Sequence, residues 1–202
     1  IYCPPNTLIR PMSKKLKKSK IEVGAQNCHE NEKYGPYTGS INSKMLKNVG
    51  AKYVIIGHSE NRKSGETNKL INLKIKSALK SGLKIIFCIG ETSDEKRKNI
   101  TRKILKKQIK LGLDKIKSKN ILIAYEPVWS IGSGLIPKAK DLFETISYIK
   151  KNVKNYKVLY GGSVSSKNII ELKSIKNIDG FLIGGASQES KKFIDIIKKT
   201  YS

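Results

Sequence analysis

The 202-residue sequence lacks several features that would exclude an ordinary globular enzyme. No apolar run is longer than a strand, Ile85 to Ile89 being typical, so no membrane-spanning helix is expected. No Ser/Gly-rich or Pro-rich stretch marks a linker between domains. The sequence therefore predicts one domain over residues 1–202, long enough to bury a sizeable core.

Cysteine is scarce, and its spacing carries no metal signature. Cys3, Cys28 and Cys88 are far apart, odd in number and form no Cys-x-x-Cys pair. This pattern favours free thiols in a reducing cytoplasm over a disulfide framework or a zinc site. Because Ile1 is followed by no charged and then apolar leader, we expect no signal peptide, and a chain that is a fragment.

Acidic residues are few, and so is arginine. The chain has 41 Lys and Arg against 16 Asp and Glu, a formal net charge of +25. Planar, bidentate readout of phosphates and bases favours arginine, whereas lysine supplies nearly all of this charge and is spread along the whole chain. We therefore expect no specific nucleic-acid partner, although a non-catalytic basic binder of nucleic acid stays open as an alternative. A positive field would also attract an anionic substrate.

Strand-like apolar runs alternate with amphipathic helical patterns throughout, which predicts parallel βα units. The predicted strands are the stub Ile1-Tyr2, Lys20 to Gln26, Lys52 to Ile56, Lys84 to Ile89, Ile121 to Tyr125, Lys157 to Tyr160 and Asp179 to Ile183. The predicted helices are Ser13 to Lys18, Ser43 to Val49, Thr67 to Ser81, Asp94 to Lys117, Lys138 to Asn152, Ser166 to Ser174 and Lys191 to Lys199.

Two α/β architectures share this alternation, an open doubly wound sheet and a (β/α)8 barrel. Polar or glycine positions follow directly after most strands: Gln26-Asn27, His58, Glu91, Glu126, Ser163 and Gly184-Gly185. Chemistry gathered after many different strands is typical of the barrel. The prediction is an incomplete (β/α)8 TIM barrel, α/β in class, that lacks its first βα unit.

Glu126 is the strongest single candidate for catalysis. It follows the buried strand Ile121 to Tyr125, and Pro127 fixes the backbone beside it. The connection that follows contains Gly132 and Gly134, so a rigid carboxylate stands next to a segment able to move. A carboxylate held in a water-free site suits proton abstraction from a carbon next to a carbonyl.

Five motifs resemble those of the triosephosphate isomerase family, in that family's order and over nearly the whole chain. They are Gly57-His58-Ser59-Glu60, Cys88-Ile89-Gly90-Glu91-Thr92, Ala124 to Gly134, Tyr160-Gly161-Gly162-Ser163-Val164 and Gly180 to Ser187. The resemblance implies the interconversion of dihydroxyacetone phosphate and glyceraldehyde 3-phosphate through an enediolate, with no metal or organic cofactor.

The resemblance also implies roles for the candidate residues. Glu126 would be the general base, and His58 would polarise the carbonyl as a neutral imidazole at a helix N-terminus, an assignment carried over from this family, which is a standard example of such tuning. The substrate phosphate would be bound by backbone N–H groups of Gly132, Ser163, Gly184 and Gly185. The other histidine, His29, has no motif and is expected at the surface.

A lid over Pro127 to Lys138 is implied as well, which would exclude water and protect the enediolate from losing phosphate. Residues expected on the lid or supporting the site are Pro127, Trp129, Ser133, Gly134, Tyr160, Ser163, Glu60, Cys88 and Glu91. The polar loop from Asn27 to Asn42, with Tyr37 and Thr38, would enter a twin subunit, so a homodimer is expected. Ser40 and Asn61 stand where many relatives carry a charged pair.

The family's catalytic Asn and Lys belong to a first strand that this sequence does not show. Losing such a charge removes several kcal/mol of transition-state stabilisation, so we expect the 202-residue chain to be nearly inactive. Glu60 would then be a buried carboxylate without its lysine. Another phosphate-binding barrel enzyme remains an alternative; it would need a different residue at His58 or a second substrate site.

Overall fold

The computed structural model describes residues 1–153 and 155–202. Its strands are β1 Gly24–Ala25, β2 Tyr53–Ile56, β3 Lys84–Ile89, β4 Ile121–Tyr125, β5 Lys157–Tyr160 and β6 Gly180–Phe181. Its helices are α1 Ile9–Lys15, α2 Ser43–Asn48, α3 Ser59–Lys63, α4 Asn68–Lys80, α5 Ser93–Arg97, α6 Thr101–Gly112, α7 Ala139–Val153, α8 Ile169–Lys173 and α9 Ser190–Tyr201.

The strands form one sheet whose spatial order, β1 to β6, follows the sequence. The β1–β2, β2–β3 and β5–β6 pairs are parallel. A doubly wound sheet requires the strand order to reverse, and no reversal occurs among the described residues, so that alternative is wrong. Tyr2 forms an isolated parallel bridge with Val23, which confirms the predicted strand-like stub at the start of the chain.

The chain divides into two compact units. Unit 1 comprises Ile1–Cys88 and Lys110–Leu122, and unit 2 comprises Ile89–Ile109 and Ile123–Ser202. In unit 1, α4 packs against β2. Fully buried apolar residues of β2, β3 and α4 include Val54, Ile56, Ile71, Ile75, Ile85 and Phe87. The single domain over residues 1–202 stays a prediction.

Unit 2 has its own apolar core. Every fourth or third residue of α7 faces inward; these buried residues are Leu142, Ile146, Ile149 and Val153. Ile123, Ala124, Val158 and Tyr160 of β4 and β5 are buried in the same unit. Burial of the strands on both faces explains why their sequences read as continuous apolar runs rather than as alternating ones.

The predicted long helix from Asp94 to Lys117 is two helices in the structure. Asn99 adopts φ 53°, a left-handed conformation that an α-helix cannot contain and that Asn tolerates better than most residues. A capping box between Thr92 and Glu95 starts α5, and α6 starts at Thr101. The buried face of α6 includes Leu105, Gln108 and Ile109.

Three shorter elements also differ from the predictions. The first helix is Ile9–Lys15 rather than Ser13 to Lys18, because Pro11 is tolerated in a first turn, where backbone N–H groups have no helical partner. The strands predicted at Lys20 to Gln26 and at Asp179 to Ile183 shrink to two-residue ladders.

No helix in the described part of the chain is both long and apolar enough to cross a bilayer.

Candidate active site

Glu126 lies immediately after β4 and is 2% exposed. Its backbone N–H donates to the carbonyl of Ile89, 2.8 Å away. Two glycines approach it closely: a Cβ on Gly90 would lie 1.8 Å from the Glu126 carbonyl oxygen, and one on Gly161 would lie 2.9 Å from Glu126 Cγ. Gly90, after β3, can therefore lie against the Glu126 backbone, and Gly161, after β5, against its side chain, only because both positions lack a side chain.

Glu91 organises a second buried cluster in unit 2. Its carboxylate is 1% exposed and accepts hydrogen bonds from the Tyr125 hydroxyl at 3.2 Å and from Trp129 Nε1 at 2.9 Å. Burial raises the pKa of Glu91, although these donors oppose the shift. Burial, followed by the charge of Glu91, holds the pKa of Tyr125 well above its ordinary value. Lys96 Nζ lies 3.2 Å from the centre of the Trp129 ring.

The predicted lid begins with a 3-10 turn, Val128–Ser130, preceded by Pro127. Gly132 and Gly134 adopt φ values of 66° and 77°, which favour glycine and let the chain reverse. The Ser133 hydroxyl donates back to the carbonyl oxygens of Trp129 at 3.0 Å and Ser130 at 3.2 Å. The lid is thus folded on itself as well as attached at its ends.

The structure brings the lid together with the segment after β5, as the sequence predicts. The Gly134 N–H donates to Ser163 Oγ at 3.1 Å, and Ser163 Oγ donates to the Ser130 carbonyl at 2.5 Å. Tyr160 is fully buried and its hydroxyl is 3.0 Å from Ser130 Oγ. Ser130 was missed by sequence reasoning, since a serine within a turn carries no signal of its own.

The predicted phosphate-binding backbone is partly accessible. Gly132, Gly184 and Gly185 are exposed, and a Cβ built on any of them would meet nothing within 4 Å. Gly184 precedes a 3-10 turn, Gly185–Gln188. The Ser163 N–H, by contrast, donates to Ser130 Oγ at 3.2 Å. The Ser130 hydroxyl thus accepts this N–H in the structure, and the phosphate-binding role of Ser163 stays a prediction.

In unit 1, His58 caps the short helix α3 and accepts from the Glu60 N–H through Nδ1, at 3.4 Å. A ring nitrogen that accepts carries no hydrogen, so this bond places the hydrogen of the ring on Nε2. Arg62, another residue that the sequence did not single out, fixes the same corner. Its guanidinium donates to the carbonyls of Gly57 at 2.7 Å and Cys88 at 3.0 Å.

Glu60 contradicts the expectation of a buried carboxylate. Its side chain is 87% exposed, and its Oε2 lies 3.8 Å from His58 Nδ1. An ion pair at that distance would require a protonated Nδ1, which conflicts with the acceptor role in the hydrogen bond from the Glu60 N–H. We favour the hydrogen bond, because a carboxylate so exposed is well solvated and gains little from the pair.

The loop containing Tyr37 and Thr38 is largely exposed in unit 1, Tyr34 reaching 61% and Tyr37 38%. His29, expected at the surface, is instead 80% buried by side chain, with 20% exposed. Its Nδ1 accepts from the Asn31 N–H at 3.1 Å, and its ring centre lies 4.7 Å from that of Tyr37. The histidine therefore shapes the base of the loop.

Metal-ligand chemistry has little to draw on. No group of three or more His, Cys, Asp or Glu side chains suited to a metal ion occurs among residues 1–153 and 155–202. All three cysteines are free thiols. Burial raises the pKa of Cys3 to about 11 and that of Cys28 to about 12, so these two thiols are poor nucleophiles.

A sequence model described as triosephosphate isomerase matches residues 1–200 of the chain. The chain belongs to the triosephosphate isomerase family. Among its relatives is the triosephosphate isomerase of Dictyoglomus thermophilum, 44% identical over 98% of this chain and 84% of the relative. That of Dehalococcoides mccartyi strain BAV1 is 43% identical over 98% of this chain and 82% of the relative.

A solved structure gives the same result for the fold. The crystal structure of triosephosphate isomerase from Bartonella henselae superposes with a TM-score of 0.92 at 36% sequence identity, covering 99% of this chain and 86% of that one. The α/β TIM-barrel fold class predicted from the sequence is confirmed. The comparisons support neither a basic nucleic-acid-binding remnant nor a different barrel enzyme, and they do not bear out the expected inactivity of the chain.

Proposed function

We propose that this member of the triosephosphate isomerase family interconverts dihydroxyacetone phosphate and glyceraldehyde 3-phosphate. The observation that carries the proposal is the placement of Glu126, a carboxylate 2% exposed at the end of β4 and closely confined at Gly90 and Gly161. The reaction moves a proton between neighbouring carbons, and a positioned carboxylate is the group that this step requires.

Glu126 acts as the general base in this proposal. It removes a proton from the carbon next to the substrate carbonyl, which leaves an enediolate, and returns the proton to the adjacent carbon. Removal from bulk water makes a carboxylate a stronger base. The hydrogen bond from its backbone N–H to the Ile89 carbonyl fixes the Glu126 backbone, so that little reorganisation accompanies the proton transfer.

His58 acts as the electrophile. Its Nδ1 accepts the Glu60 N–H, so the ring hydrogen lies on Nε2, and this N–H is the group to which the proposal assigns polarisation of the substrate carbonyl and proton transfer between the two oxygens. Arg62 keeps this corner in place through the carbonyls of Gly57 and Cys88. Such acid–base chemistry uses side chains alone, so the proposal includes no metal ion and no organic cofactor.

The phosphate is bound by backbone N–H groups of Gly132, Gly184 and Gly185, three exposed residues of unit 2. Ser163 joins this set only when its N–H leaves Ser130 Oγ, a weak 3.2 Å contact that a phosphate dianion would outcompete. Trp129, Ser133 and Gly134 belong to the lid that covers the bound substrate.

The proposal extends to a cytoplasmic homodimer. The support is the exposed loop from Asn27 to Asn42, whose Tyr34 and Tyr37 present aromatic surface, a residue type enriched in interfaces. Thr38 lies on the same loop. Sedimentation of the purified chain tests it: a concentration-independent monomer would contradict the dimer.

The function is tested by assaying both directions of the isomerisation with purified protein. The chain is compared with an extended version, in which residues of the D. thermophilum relative that precede the matched region are added before Ile1. We expect Glu126→Gln and His58→Gln to lose about 10²–10⁴-fold in kcat, the usual contribution of a general acid or base. Glu144→Gln, an exposed carboxylate on α7, is the matched control and should keep full activity. Folded protein without isomerase activity in either version would refute the proposal.

A further inference from the structure

The hydroxyl of Ser130 is buried at the centre of the lid contacts. Ser130 is 0% exposed. Its Oγ donates to the carbonyl of Leu135, 2.5 Å away, and lies 3.0 Å from the Tyr160 hydroxyl and 3.2 Å from the donating N–H of Ser163. A serine hydroxyl has one hydrogen and two lone pairs, so with Tyr160 as donor its hydrogen-bonding capacity is fully used.

These partners lie on two different parts of unit 2. Leu135 is on the returning arm of the lid and is 62% exposed, so little packing holds that arm down. Tyr160 ends β5 and Ser163 follows it in the adjoining loop. The single oxygen of Ser130 therefore connects the beginning of the lid, its returning arm and the loop after β5.

The packing around this hydroxyl leaves no room for a side chain at Gly162. A Cβ on Gly162 would lie 2.6 Å from Ser130 Oγ and 2.2 Å from the Tyr160 hydroxyl. A side chain at position 162 would therefore separate the two hydroxyl groups. Burial raises the pKa of Tyr160, which keeps its hydroxyl protonated and able to donate.

We propose that Ser130 is a positioning residue whose side-chain hydroxyl holds the lid closed over the substrate. The proposal deepens the isomerase function and rests on it. Ser130 does not touch the reacting atoms; it acts through Leu135, Tyr160 and Ser163. When it is removed, the buried Tyr160 hydroxyl and the part-buried Leu135 carbonyl and Ser163 N–H lose a partner, and the open lid becomes more populated.

An open lid exposes the enediolate to a competing elimination. One oxyanion electron pair re-forms a carbonyl, the C=C pair shifts towards the phosphate-bearing carbon, and the C–O bond to phosphate breaks. Inorganic phosphate leaves with that bonding pair, and the three-carbon enol that remains gains a proton at its terminal carbon and loses its hydroxyl proton to become a dicarbonyl. Phosphate released per isomerisation therefore measures closure, whereas a merely structural loss would lower both rates together.

The test compares the wild-type chain with Ser130→Ala and with Ser130→Cys, whose slightly larger thiol keeps one hydrogen but forms weaker hydrogen bonds. Ser174→Ala is the control, since the exposed Ser174 hydroxyl bonds only the Glu171 carbonyl of its own turn. For Ser130→Ala we expect phosphate release per turnover to rise about tenfold and kcat/KM to fall about tenfold, as for the loss of one or two net hydrogen bonds. For Ser130→Cys, both quantities should lie between those of Ser130→Ala and the wild type, and Ser174→Ala should match the wild type.

A second readout does not depend on activity. Trp129 is the single tryptophan of the sequence and neighbours Ser130, so its fluorescence reports on the lid. We expect acrylamide to quench Trp129 fluorescence at least about twofold more efficiently in Ser130→Ala than in the wild type, because the indole becomes more accessible when the hydrogen bonds of Ser130 are lost. This result would stand even if the chain proved not to be an isomerase.

A double-mutant cycle completes the design. Because Ser130 acts partly through the Tyr160 hydroxyl, Tyr160→Phe combined with Ser130→Ala should increase phosphate release by less than the product of the two single effects. Unchanged quenching and unchanged phosphate release in folded Ser130→Ala would overturn the proposal. So would fully independent effects of the two substitutions.

Discussion

At the scale of single residues, glycines without side chains determine where the Glu126 side chain can lie. The chemistry of the proposed site depends on the carboxylate of Glu126. The position of Glu126 depends on Gly90 and Gly161, because a Cβ added to either glycine would clash with an atom of Glu126. Gly161 also donates its N–H to the Tyr125 carbonyl at 2.8 Å, a bond that any residue except proline can make. Only the added Cβ would disturb this position.

Gly161→Ala should therefore impair activity more than folding. The new Cβ, 2.9 Å from Glu126 Cγ, forces the carboxylate side chain to shift. A displacement of about 1 Å at a reacting group costs up to about 10²-fold in rate, whereas the overpacking costs about 1–3 kcal/mol of stability. Steady-state kinetics and urea unfolding measure the two. In a Glu126→Gln background the same substitution should cause no further loss of activity; an additive loss would contradict this explanation.

Glu91 gives a residue-scale prediction about pH. Its pKa is raised from the ordinary 4.5 by burial, so the folded state binds its proton more tightly than the unfolded state does. Stability is then lost as the pH rises from about 4.5 through the raised folded-state pKa, because the folded protein must carry a buried charge. Glu91→Gln removes that charge and retains one acceptor oxygen.

The free energy of unfolding of Glu91→Gln, relative to the wild type, should consequently increase as the pH rises through that window. Urea titrations from about pH 4 to pH 8 measure the difference. Glu171→Gln, an exposed carboxylate on α8, controls for general pH effects. A difference that stays constant, or that shrinks with rising pH, would show that burial does not set the proton affinity of Glu91.

At the scale of elements, α6 holds the end of β3 through one side chain. Gln108 is 8% exposed; it donates through Nε2 to the Gly90 carbonyl and accepts the Gly90 N–H through Oε1, both at 2.9 Å. Both backbone groups of Gly90 are thereby satisfied beyond the last residue of the strand, next to Glu126. The helix supplies in this way the pairing that the sheet no longer gives.

Gln108→Leu should be strongly destabilising for that reason. Leucine fills a similar volume but leaves a buried N–H and a buried C=O unpaired, which costs about 2–4 kcal/mol in total. Urea unfolding measures the loss. Lys107→Leu, at the exposed neighbouring position on the same helix, is the control and should change stability by less than about 0.5 kcal/mol. Equal effects of the two substitutions would remove the role given to Gln108.

At the scale of the whole molecule, charge is the dominant property. The chain carries a formal net charge of +25, almost entirely from lysine, and its proposed substrates are phosphate anions. Such a field raises the encounter rate of an anion and is screened by salt over about 10 Å at 0.1 M ionic strength. The lysine excess thus acts on association rather than on the chemical step.

We therefore expect kcat/KM to fall by up to about tenfold between about 10 mM and 200 mM salt, while kcat changes little. Stopped assays at both ionic strengths measure this, and sucrose at matched osmolality is the control for solvent effects. If kcat/KM did not depend on salt, encounter with the substrate would not be assisted by the net charge.

The sequence by itself determined the alternation of strands and helices, and with it the fold class and the positions of Glu126 and His58 directly after strands. These features follow from local rules: apolar runs buried on both faces, amphipathic periodicity and turn residues act within a few neighbouring positions. The same locality let the family motifs be recognised one by one.

Only the tertiary structure decided which segments meet. Ser130, Gln108 and Arg62 owe their roles to partners that are far away in sequence, such as Ser163, which lies 33 positions after Ser130. The exposure of Glu60, the partial burial of His29 and the break at Asn99 likewise depend on what surrounds each residue. A hydroxyl or amide has the same chemistry wherever it stands, and its function is set by the groups that the fold brings within hydrogen-bonding distance.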